Sequence, residues 1–425
     1  MYKLKAKIGD LCQPTRQRDP RHNPEDSFFY IDISTVDKDN KCITSPSELL
    51  GEEAPSRARK EVKADDILVS TVRPNLNAVA QVPQELDGEI ASTGFCVLRP
   101  DQKQINHRYL FYWTLTSDFI DHLVSNVRGA NYPAVTDNIV KETLIPLPPL
   151  SEQRRIVELL DQADALRKKR AEADAKAQRI LPALFIKMFG DPVTNPKGWD
   201  IALMGDLLEI KPNYGTMISP STDNGEWLDL RVANIQNGLL DLSDKKYVDL
   251  PEEVVQRHSV KDGDLLLARA IGSIDHLGKC IVAYPGEQKW AFDSHLMRVR
   301  FKKELAHPEF IRSLLMIPSG RQLFLQNTRK SAVQFNINSK EFSAIAIPLP
   351  PIDKQKVFVD KVKEIENLAH QSSVSGSSLE TLFQTLLHRA FSGDLTAEWR
   401  KAHMAELLQE MEHQARVLGL KGGVE

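Results

Sequence analysis

Ile145-Pro146-Leu147-Pro148-Pro149 decides the architecture of this chain, because the same five residues return as Ile347-Pro348-Leu349-Pro350-Pro351. The second copy lies 202 residues after the first (145 to 347), and the sequences that follow align without a gap. A period of this length predicts two large similar halves rather than a solenoid, whose repeats are some 20–50 residues long. Proline cannot donate a backbone hydrogen bond, so each run is expected to end a domain and to set the start of a helix.

An apolar stripe recurs in register in the two segments that follow the prolines. In the first copy Ile156, Leu160, Ala163 and Arg167 step by three or four residues, which is typical of a coiled-coil seam. A helix with such a stripe needs a partner in water, so we expect the two copies to pair as long antiparallel helices. The alternative is that each helix folds onto its own domain. The residues expected in the helix pair, or against other subunits, are Ile156, Leu160, Ala163, Leu166, Ile180, Leu184, Phe358, Val362, Ile365, Leu368, Leu382 and Leu386.

Local signals predict where these helices begin, bend and weaken. Ser151 and Asp353 follow the prolines, where a helix N-cap is expected. Thirty residues from Ser151 to Ile180 would extend about 45 Å as a helix, and Pro182 is expected to bend or end it. The serine-rich run 372–378 has poor helix propensity, which predicts a loosened middle of the second helix.

Short β-like runs divided by polar turns precede each proline run. In both halves an acidic turn, Asp65-Asp66 or Asp262-Gly263-Asp264, leads into an apolar run that suits a buried strand. The sequence therefore predicts an α+β fold: two mixed α/β domains joined by two long antiparallel, coiled-coil-like helices, as a pseudo-twofold internal repeat. The expected boundaries are 1–146 for the first domain, 147–190 for the central helix, 191–348 for the second domain, 349–392 for the C-terminal helix and 393–425 for a tail.

Composition sets limits on the class of protein. The 425 residues carry a formal net charge of −3, which by itself does not indicate a nucleic-acid binder. Cys12, Cys42, Cys96 and Cys280 form no CxxC pair, so we expect buried thiols in a reducing cytosol rather than disulfides or zinc. No run approaches the ~18 apolar residues of a membrane span, and the chain is expected to be soluble and cytoplasmic.

The sequence carries no persuasive motif for catalysis. The sequence holds no GxxxxGK[ST] loop, no HExxH and no Asn/Asp-Pro-Pro-aromatic loop of an amino methyltransferase. Glu61-Val62-Lys63 resembles half of a nuclease metal motif, but a tripeptide of this kind is expected by chance in so charged a chain. These observations favour binding over chemistry, and no catalytic or metal-ligating residue is predicted.

Basic and amide side chains recur in loops beside the same strand of both halves. Arginine and Asn/Gln can make paired hydrogen bonds to guanine and adenine edges, and Lys and Ser/Thr hold phosphates. Singly, such residues are more often solvated surface groups, and it is their recurrence that suggests DNA contacts. The candidates are Arg57, Arg59, Lys60, Thr71, Arg73, Asn75, Arg128, Asn131 and Tyr132 in the first half, and Arg231, Asn234, Arg269, Arg329, Lys330 and Gln334 in the second.

The two proline stops with their helices resemble a known family, the DNA-specificity subunits of type I restriction–modification systems. The similar residues include the helix start Ser151-Glu152-Gln153-Arg154-Arg155-Ile156-Val157 and the helix ends Phe185–Pro192 and Phe391-Ser392-Gly393-Asp394-Leu395. The resemblance covers about 1–395. It implies two target-recognition domains that each read one half of a bipartite, asymmetric DNA site, and a helix pair that acts as a ruler for the unread spacer.

The resemblance also implies partners. Two methyltransferase subunits and restriction subunits would bind this chain, which itself would have no catalytic activity and no cofactor. S-adenosylmethionine, ATP and Mg²⁺ would act on the partner subunits, and double-stranded DNA would be the ligand. Two other hypotheses stay open from the sequence: a coiled-coil adaptor that binds only protein, and a self-contained DNA methyltransferase or nuclease.

Overall fold

A computed structural model describes residues 4–128, 133–221, 225–236, 238–330 and 335–417 of the chain. They divide into two compact units, one formed by Met1–Glu172 with Val374–Glu425 and the other by Ala173–Ser373. Each unit combines one β-rich domain with the start of one long helix and the end of the other. The predicted α+β class and the internal repeat are confirmed by this division.

The first unit holds two four-stranded sheets, one mixed and one antiparallel. One has the order β6-β3-β10-β7, in which only β3 and β10 run parallel, and the other has the antiparallel order β2-β11-β8-β9. Strand β1 pairs with β12, which carries the first proline run into the helix. The strands are β1 Lys5–Lys7, β2 Cys12–Gln13, β3 Ser27–Ile31, β4 Val36–Asp37, β5 Cys42–Ile43, β6 Ser47–Leu50, β7 Ala58–Glu61, β8 Ile67–Ser70, β9 Val79–Gln81, β10 Ile90–Ser92, β11 Phe95–Pro100 and β12 Leu144–Pro146, and the helices are α1 His107–Trp113, α2 Ser117–Ser125, α3 Asp137–Glu142 and α4 Leu150–Ala177.

The second unit repeats this plan. Its main sheet has the antiparallel order β14-β23-β19-β21, and a smaller sheet, β18-β15-β22, again contains one parallel pair, β15 with β22. The elements are α5 Ile180–Phe189, β13 Ile201–Leu203, β14 Leu208–Tyr214, β15 Trp227–Leu230, β16 Ile235–Gln236, β17 Leu239–Leu240, β18 Tyr247–Val248, α6 Glu252–His258, β19 Asp264–Ala268, β20 Ala270–Ile271, β21 Cys280–Ala283, β22 Trp290–Phe292, β23 Leu296–Phe301, α7 Pro308–Met316, α8 Pro318–Gln326, β24 Arg329–Lys330, β25 Phe335–Asn336, α9 Ser339–Ser343, β26 Ala346–Pro348 and α10 Ile352–Ser392.

The second aspartate of each acidic turn anchors the central strand. Asp66 is buried and binds Arg99 through contacts of 2.8 and 3.0 Å, while it also accepts a hydrogen bond from the Lys63 backbone N–H. In the second unit Asp264 makes the same paired contact with Arg300, at 2.6 and 2.7 Å. A buried carboxylate is tolerated only when it is paired and hydrogen-bonded, and these aspartates meet both conditions.

A buried glutamine ties each long helix to its domain. The Gln153 amide donates to the Pro148 carbonyl and accepts from the Asn106 N–H, both at 2.8 Å. Gln355 repeats this bridge, donating to the Pro350 carbonyl and accepting from the His307 N–H. Both side chains are fully buried, so each proline run, each domain and each helix start are held by one amide.

The helix seam of the first unit lies on the predicted stripe. Ile156 and Leu160 of α4 are fully buried, and Arg167 lies 4.2 Å from the centre of the Phe383 ring of α10. Arg167 also binds Glu380 at 3.1 Å. Further along the pair, Glu152 of α4 contacts Thr396, which follows α10. Rising numbers in α4 therefore meet falling numbers in α10, and the two segments run antiparallel in this unit.

The second unit buries the equivalent positions of the other copy. Phe358 and Val362 of α10 are buried against Phe185 and Phe189 of α5, with the rings of Phe185 and Phe358 5.5 Å apart. The alternative in which each helix folds only onto its own domain is wrong, because each seam combines the start of one helix with the end of the other. Ala163, Leu184, Ile365 and Leu386 are partly buried, as expected for the border of a seam.

Four residues expected in the helix pair are instead exposed. Leu166 and Leu368 are 54% and 66% exposed, and Ile180 and Leu382 are 50% and 47% exposed. The seam passes through Arg167 and Phe383, so the side chains of the preceding Leu166 and Leu382 project away from it. Their part in helix packing was predicted wrongly, whereas a part in contacts with other subunits stays a prediction.

The continuity of the helices differs from the sequence-based expectation. Helix α10 runs unbroken through the serine-rich segment, whereas the first copy breaks between Ala177 and Ile180. Pro182 lies in the first turn of α5, where a missing N–H costs no intrahelical bond, and Gln384 stands at the equivalent position in α10. Ser151 and Asp353 lie inside the first turn rather than at the N-cap, since the helices begin at Leu150 and Ile352.

The tail forms two helices, α11 (Ala397–Ala402) and α12 (Met404–Val417), that pack on the start of α4. Glu152 is buried and accepts hydrogen bonds from Thr396 and from Arg400, at 2.5 and 2.7 Å. Glu410 accepts from the N–H and the hydroxyl of Ser151. A carboxylate at a helix N-terminus is favourable because it meets unpaired N–H groups and the positive end of the helix dipole. The tail therefore caps α4.

The paired anchors give a matched test of the fold. Asp66→Asn and Asp264→Asn should each reduce the free energy of unfolding by about 3 kcal/mol, because each leaves a partly buried arginine without its counter-charge. Urea denaturation of the full chain measures the loss, and Asp353→Asn, at a side chain that is 91% exposed, is the control. Equal stability of all three variants would contradict the anchoring role.

Candidate nucleic-acid interface

Three segments of the first unit meet to form a small ribbon beside strand β8. Val72 pairs with Ala134, and Ala134 pairs with Arg128 at the end of α2. The N–H of Arg73 donates to the Pro133 carbonyl at 2.8 Å, and that of Val135 donates to Thr71 at 2.9 Å. The loop after β8 and the segment after α2 each contain residues predicted to contact DNA, and the structure brings the two segments together.

The second unit builds the same ribbon from equivalent segments. Strands β20, β25 and β24 form one three-stranded sheet, in which Ala270 pairs with Asn336 and Asn336 pairs with Arg329. The N–H of Ile337 donates to the Arg269 carbonyl at 2.9 Å, which repeats the bond from Val135 to Thr71. We refer to residues 71–73, 128 and 133–135 of the first unit and 269–271, 329–330 and 335–337 of the second as the basic ribbons.

Several predicted contact residues are exposed on or near the first ribbon. Arg57, Arg73, Asn75 and Arg128 are exposed, and within the described ranges their side chains take part in no ion pair. Arg73 has a left-handed backbone (φ 48°), which turns the chain sharply after β8. In the second ribbon, the Arg329 side chain is 77% exposed although it binds Glu341. These groups are available to an anionic partner.

Other predicted residues of the first unit serve the fold instead. Arg59 binds Asp19 at 3.3 Å and the Ala58 carbonyl, and Lys60 binds Asp137 at 2.6 Å. Thr71 is buried, and its hydroxyl donates to the Gly94 carbonyl at 2.9 Å. The Thr71 side chain cannot reach a ligand without leaving the core, so its predicted role as a contact residue is corrected to a structural one.

The second unit also uses predicted contact residues internally. Asn234 is buried and donates to the carbonyls of Asp241 and Asp244, which fixes a turn; its predicted contact role is likewise corrected. Arg231 binds Asp244 at 3.0 Å. Arg269 donates to the Ser294 carbonyl at 2.7 Å and covers the Tyr214 ring at 4.0 Å. Arg231 and Arg269 stay half-buried at the rim of the ribbon.

Asn131, Tyr132 and Gln334 lie outside the described residues. The backbone of Lys330 forms part of β24.

A pocket of about 300 Å³ adjoins the second ribbon and was not expected from the sequence. Its lining combines Arg231, Asp293 and His295 with apolar residues such as Val232 and Ile271. Asp229, which interacts with Asp293, is 1% exposed, and its two carboxylate oxygens have no hydrogen-bond partner among the described residues. Burial, and next the neighbouring Asp293, raise the pKa of Asp229 to about 7, against the opposing effect of Arg231. An aspartate inside the apolar run Trp227-Leu228-Asp229-Leu230 was the signal in the sequence.

The cysteine thiols and the possible metal ligands complete the description of the reactive side chains. The four thiols are free, and Cys12, Cys96 and Cys280 have pKa values raised to about 12 by burial. Cys42 is exposed and Cys12 is only partly buried, which corrects the expectation of four buried thiols. Within the described residues, no three His, Cys, Asp or Glu side chains are grouped to hold a metal ion, and no helix is long and apolar enough to cross a membrane.

Comparisons with known proteins agree on one family. The family model for the type I restriction modification DNA specificity domain matches residues 4–174 and 196–373. The chain is 25% identical over 361 residues to the type I restriction enzyme EcoKI specificity subunit of Escherichia coli (strain K12), covering 80% of this chain and 77% of that protein. It is 24% identical over 388 residues to the StySPI specificity subunit of Salmonella potsdam, covering 85% and 83%.

Solved structures show the same similarity. A chain from work described as the structural basis of complex assembly and conformational transition of the type I R-M system is 28% identical, with a TM-score of 0.58 over 92% of this chain and 98% of that one. The type I system S subunit from M. genitalium is 13% identical, with a TM-score of 0.53 over 91% and 96%, and supports the fold alone.

The raised pKa of Asp229 predicts a pH-dependent stability. From its ordinary value of 3.8 up to about 7, the unfolded chain loses this proton while the folded chain keeps it, so stability falls as pH rises through this window. Asp229→Asn removes the effect, and relative to the wild type it should gain up to about 4 kcal/mol between pH 4 and pH 8, at 1.36 kcal/mol per pKa unit. Urea denaturation at several pH values measures this gain.

Asp37→Asn provides a control of opposite sign. Hydrogen bonds from Asn40 lower the pKa of Asp37, so that carboxylate stabilises the fold above its unfolded pKa and the effect is lost as pH falls. Its asparagine variant should lose stability at neutral pH and recover at low pH. A stability difference for Asp229→Asn that is the same at every pH would contradict the buried, proton-binding carboxyl.

Proposed function

The chain belongs to the type I restriction modification DNA specificity domain family, and from this membership we propose that it reads a bipartite, asymmetric site in double-stranded DNA. The observation that supports this most directly is the pair of basic ribbons, which occupy the same place in both units. Exposed arginines suit phosphates and guanine edges. Because the two units differ in sequence at the ribbons, each would read a different half of the site.

The same proposal assigns the long helices a measuring and assembly role. The curated relatives are specificity subunits of type I restriction enzymes, and we propose that two methyltransferase subunits and restriction subunits bind this chain in the cytoplasm. Leu166 and Leu368 are exposed at the same register of the two helix copies, as are Ile180 and Leu382. Two equivalent apolar surfaces suit two copies of one partner.

Catalysis is proposed to lie on the partners. S-adenosylmethionine, ATP and Mg²⁺ would be held by the methyltransferase and restriction subunits, and this chain would supply the choice of sequence. A methyl-donor assay on the isolated chain should give no product. Methyl transfer without partners would favour a self-contained methyltransferase instead.

Domain exchange tests the division of labour between the units. Replacing residues 1–145 with the equivalent domain of a relative should change one half of the methylated motif and leave the other half and the spacer length unchanged, because the second unit and both helices are kept. Methylome sequencing of cells that carry the chain with its partner genes measures the motif. An alteration of both halves would contradict one reader per half-site.

Charge removal tests the first ribbon. Arg73→Gln with Arg128→Gln should weaken DNA binding and reduce the slope of log K against log salt by roughly 0.9 for each lost phosphate contact. Filter binding over a salt series measures the slope. Arg416→Gln, at an exposed arginine on the tail, is the matched control, and an adaptor that binds only protein would show no salt-dependent DNA binding in any variant.

A further inference from the structure

Backbone hydrogen bonds connect the pocket of the second unit to its basic ribbon. Asp293 follows β22, and its N–H donates to the Leu230 carbonyl of the parallel neighbour β15 at 2.9 Å. Two residues later, the His295 carbonyl accepts from the N–H of Arg269, the first residue of the ribbon, at 2.8 Å. Any group bound by Asp293 would therefore lie beside the surface proposed to face DNA.

The carboxylate of Asp293 is held in a fixed orientation. Its Oδ1 accepts from the His295 N–H at 3.0 Å, and its Oδ2 lies 3.1 Å from His295 Nδ1. The Asp293 side chain is 22% exposed and lines the pocket, whereas that of His295 is 53% exposed. The backbone bond and the imidazole position the carboxylate, while one edge of it stays accessible.

A second acid, Asp229, interacts with this carboxylate and has no hydrogen-bond partner among the described residues. Arg231 also interacts with Asp229, and its guanidinium is bonded to Asp244. A buried acceptor without a donor costs free energy, so its presence in a folded protein calls for an explanation.

The first unit shows that the fold does not require carboxylates here. By strand pairing, Tyr30 stands where Asp229 stands and Ser92 stands where Asp293 stands, since Ile31 pairs with Ala91 as Leu230 pairs with Phe292. The turn is the same, because the Gly94 N–H bonds to the Ser92 hydroxyl as the His295 N–H bonds to Asp293. Tyr30 and Ser92 are neutral hydroxyls in place of acids.

We propose that Asp293, oriented by His295 and backed by Asp229, is a specificity-determining residue of the second unit. Its carboxylate accepts a hydrogen bond from the exocyclic amino group of a cytosine or an adenine in the half-site that this unit reads. This inference rests on the proposed function. The first unit, with Ser92 at the same place, lacks this acceptor and reads its half-site with other groups.

Electrostatics support a base rather than the DNA backbone as the ligand. A carboxylate repels phosphates, so Asp293 weakens general DNA binding unless a donor on a base compensates for it. In the major groove only the cytosine N4 and adenine N6 amino groups donate hydrogen bonds. A carboxylate inside a basic surface therefore excludes some base pairs and selects others, which is how specificity arises from repulsion as well as attraction.

The test is methylation by the full complex with its methyltransferase subunits, assayed on DNA libraries with the wild-type motif randomised one position at a time. Asp293→Asn should lower kcat/KM on the wild-type site by about 10- to 100-fold, equivalent to 1–3 kcal/mol for one base contact. It should also relax selection at one position of one half-site. His295→Ala, at a half-exposed side chain, should relax the same position to a lesser degree and guards against a folding defect in the first variant. Asp353→Asn is the matched control and should leave the motif unchanged.

The outcomes separate this inference from the function on which it rests. A normal wild-type motif that Asp293→Asn and His295→Ala leave unchanged would overturn the inference alone. Equal loss at both half-sites would also overturn it, because it would reveal a defect of the whole chain. A wild-type complex that methylates no bipartite site would contradict the proposed function and this inference with it.

Discussion

The buried amides of Gln153 and Gln355 are the interactions on which the rest of the structure depends. Each joins a proline run, a domain and the first turn of a long helix. The prolines of each run have no N–H to donate, and the last sheet-like bonds are made by the leucines: the Leu147 N–H donates to the Leu4 carbonyl at 3.0 Å and the Leu349 N–H to the Asp200 carbonyl at 2.8 Å. Beyond these leucines the glutamine bridge holds the chain to the domain. With it, the helix leaves the domain at a fixed angle, and the seam residues Ile156 and Phe358 start in the core of their own unit.

The two units use different contacts to hold the C-terminal end of the second helix in each seam, α5 in one unit and α10 in the other. In the second unit, α5 is followed directly by the chain that enters β13, and Trp199 donates from its indole N–H to the Phe189 carbonyl at the helix end. In the first unit, α10 is followed by the tail, which contacts Glu152 through Arg400. The equivalent of Glu152 in the second copy is Lys354, which lies over the Trp199 ring at 5.8 Å. The end of the helix pair is therefore held by the continuous chain in the second unit, and by the ion pair between Arg400 and Glu152 in the first unit.

Features that depend on local pattern and repetition could be predicted from the sequence. Features that depend on one position in a helix register, or on a contact between distant residues, could not. The proline stops, the buried strand Ile67–Ser70 and the starts of the two long helices follow from residue type and spacing alone. The prediction for Leu166 failed because the stripe on a helix surface is wide: the Phe383 ring lies against Arg167, which the spacing had also placed on the seam, and Leu166 is exposed. Thr71 and Asn234 failed because surface and buried polar residues have the same composition, and only their carbonyl partners distinguish them.

Because the two units repeat one backbone plan, any difference in what they recognise must come from a small number of side chains. The two units share the backbone of the ribbon, the acidic anchor, the glutamine bridge and the parallel strand pair, so only side chains at equivalent places can distinguish the two halves of an asymmetric ligand. Besides the ribbon side chains, the units differ at Asp229 and Asp293 against Tyr30 and Ser92. A carboxyl with its pKa raised to about 7 is costly to bury, and the same frame carries hydroxyls at these places in the first unit. The cost is therefore better explained by what the second unit must recognise than by what it needs in order to fold.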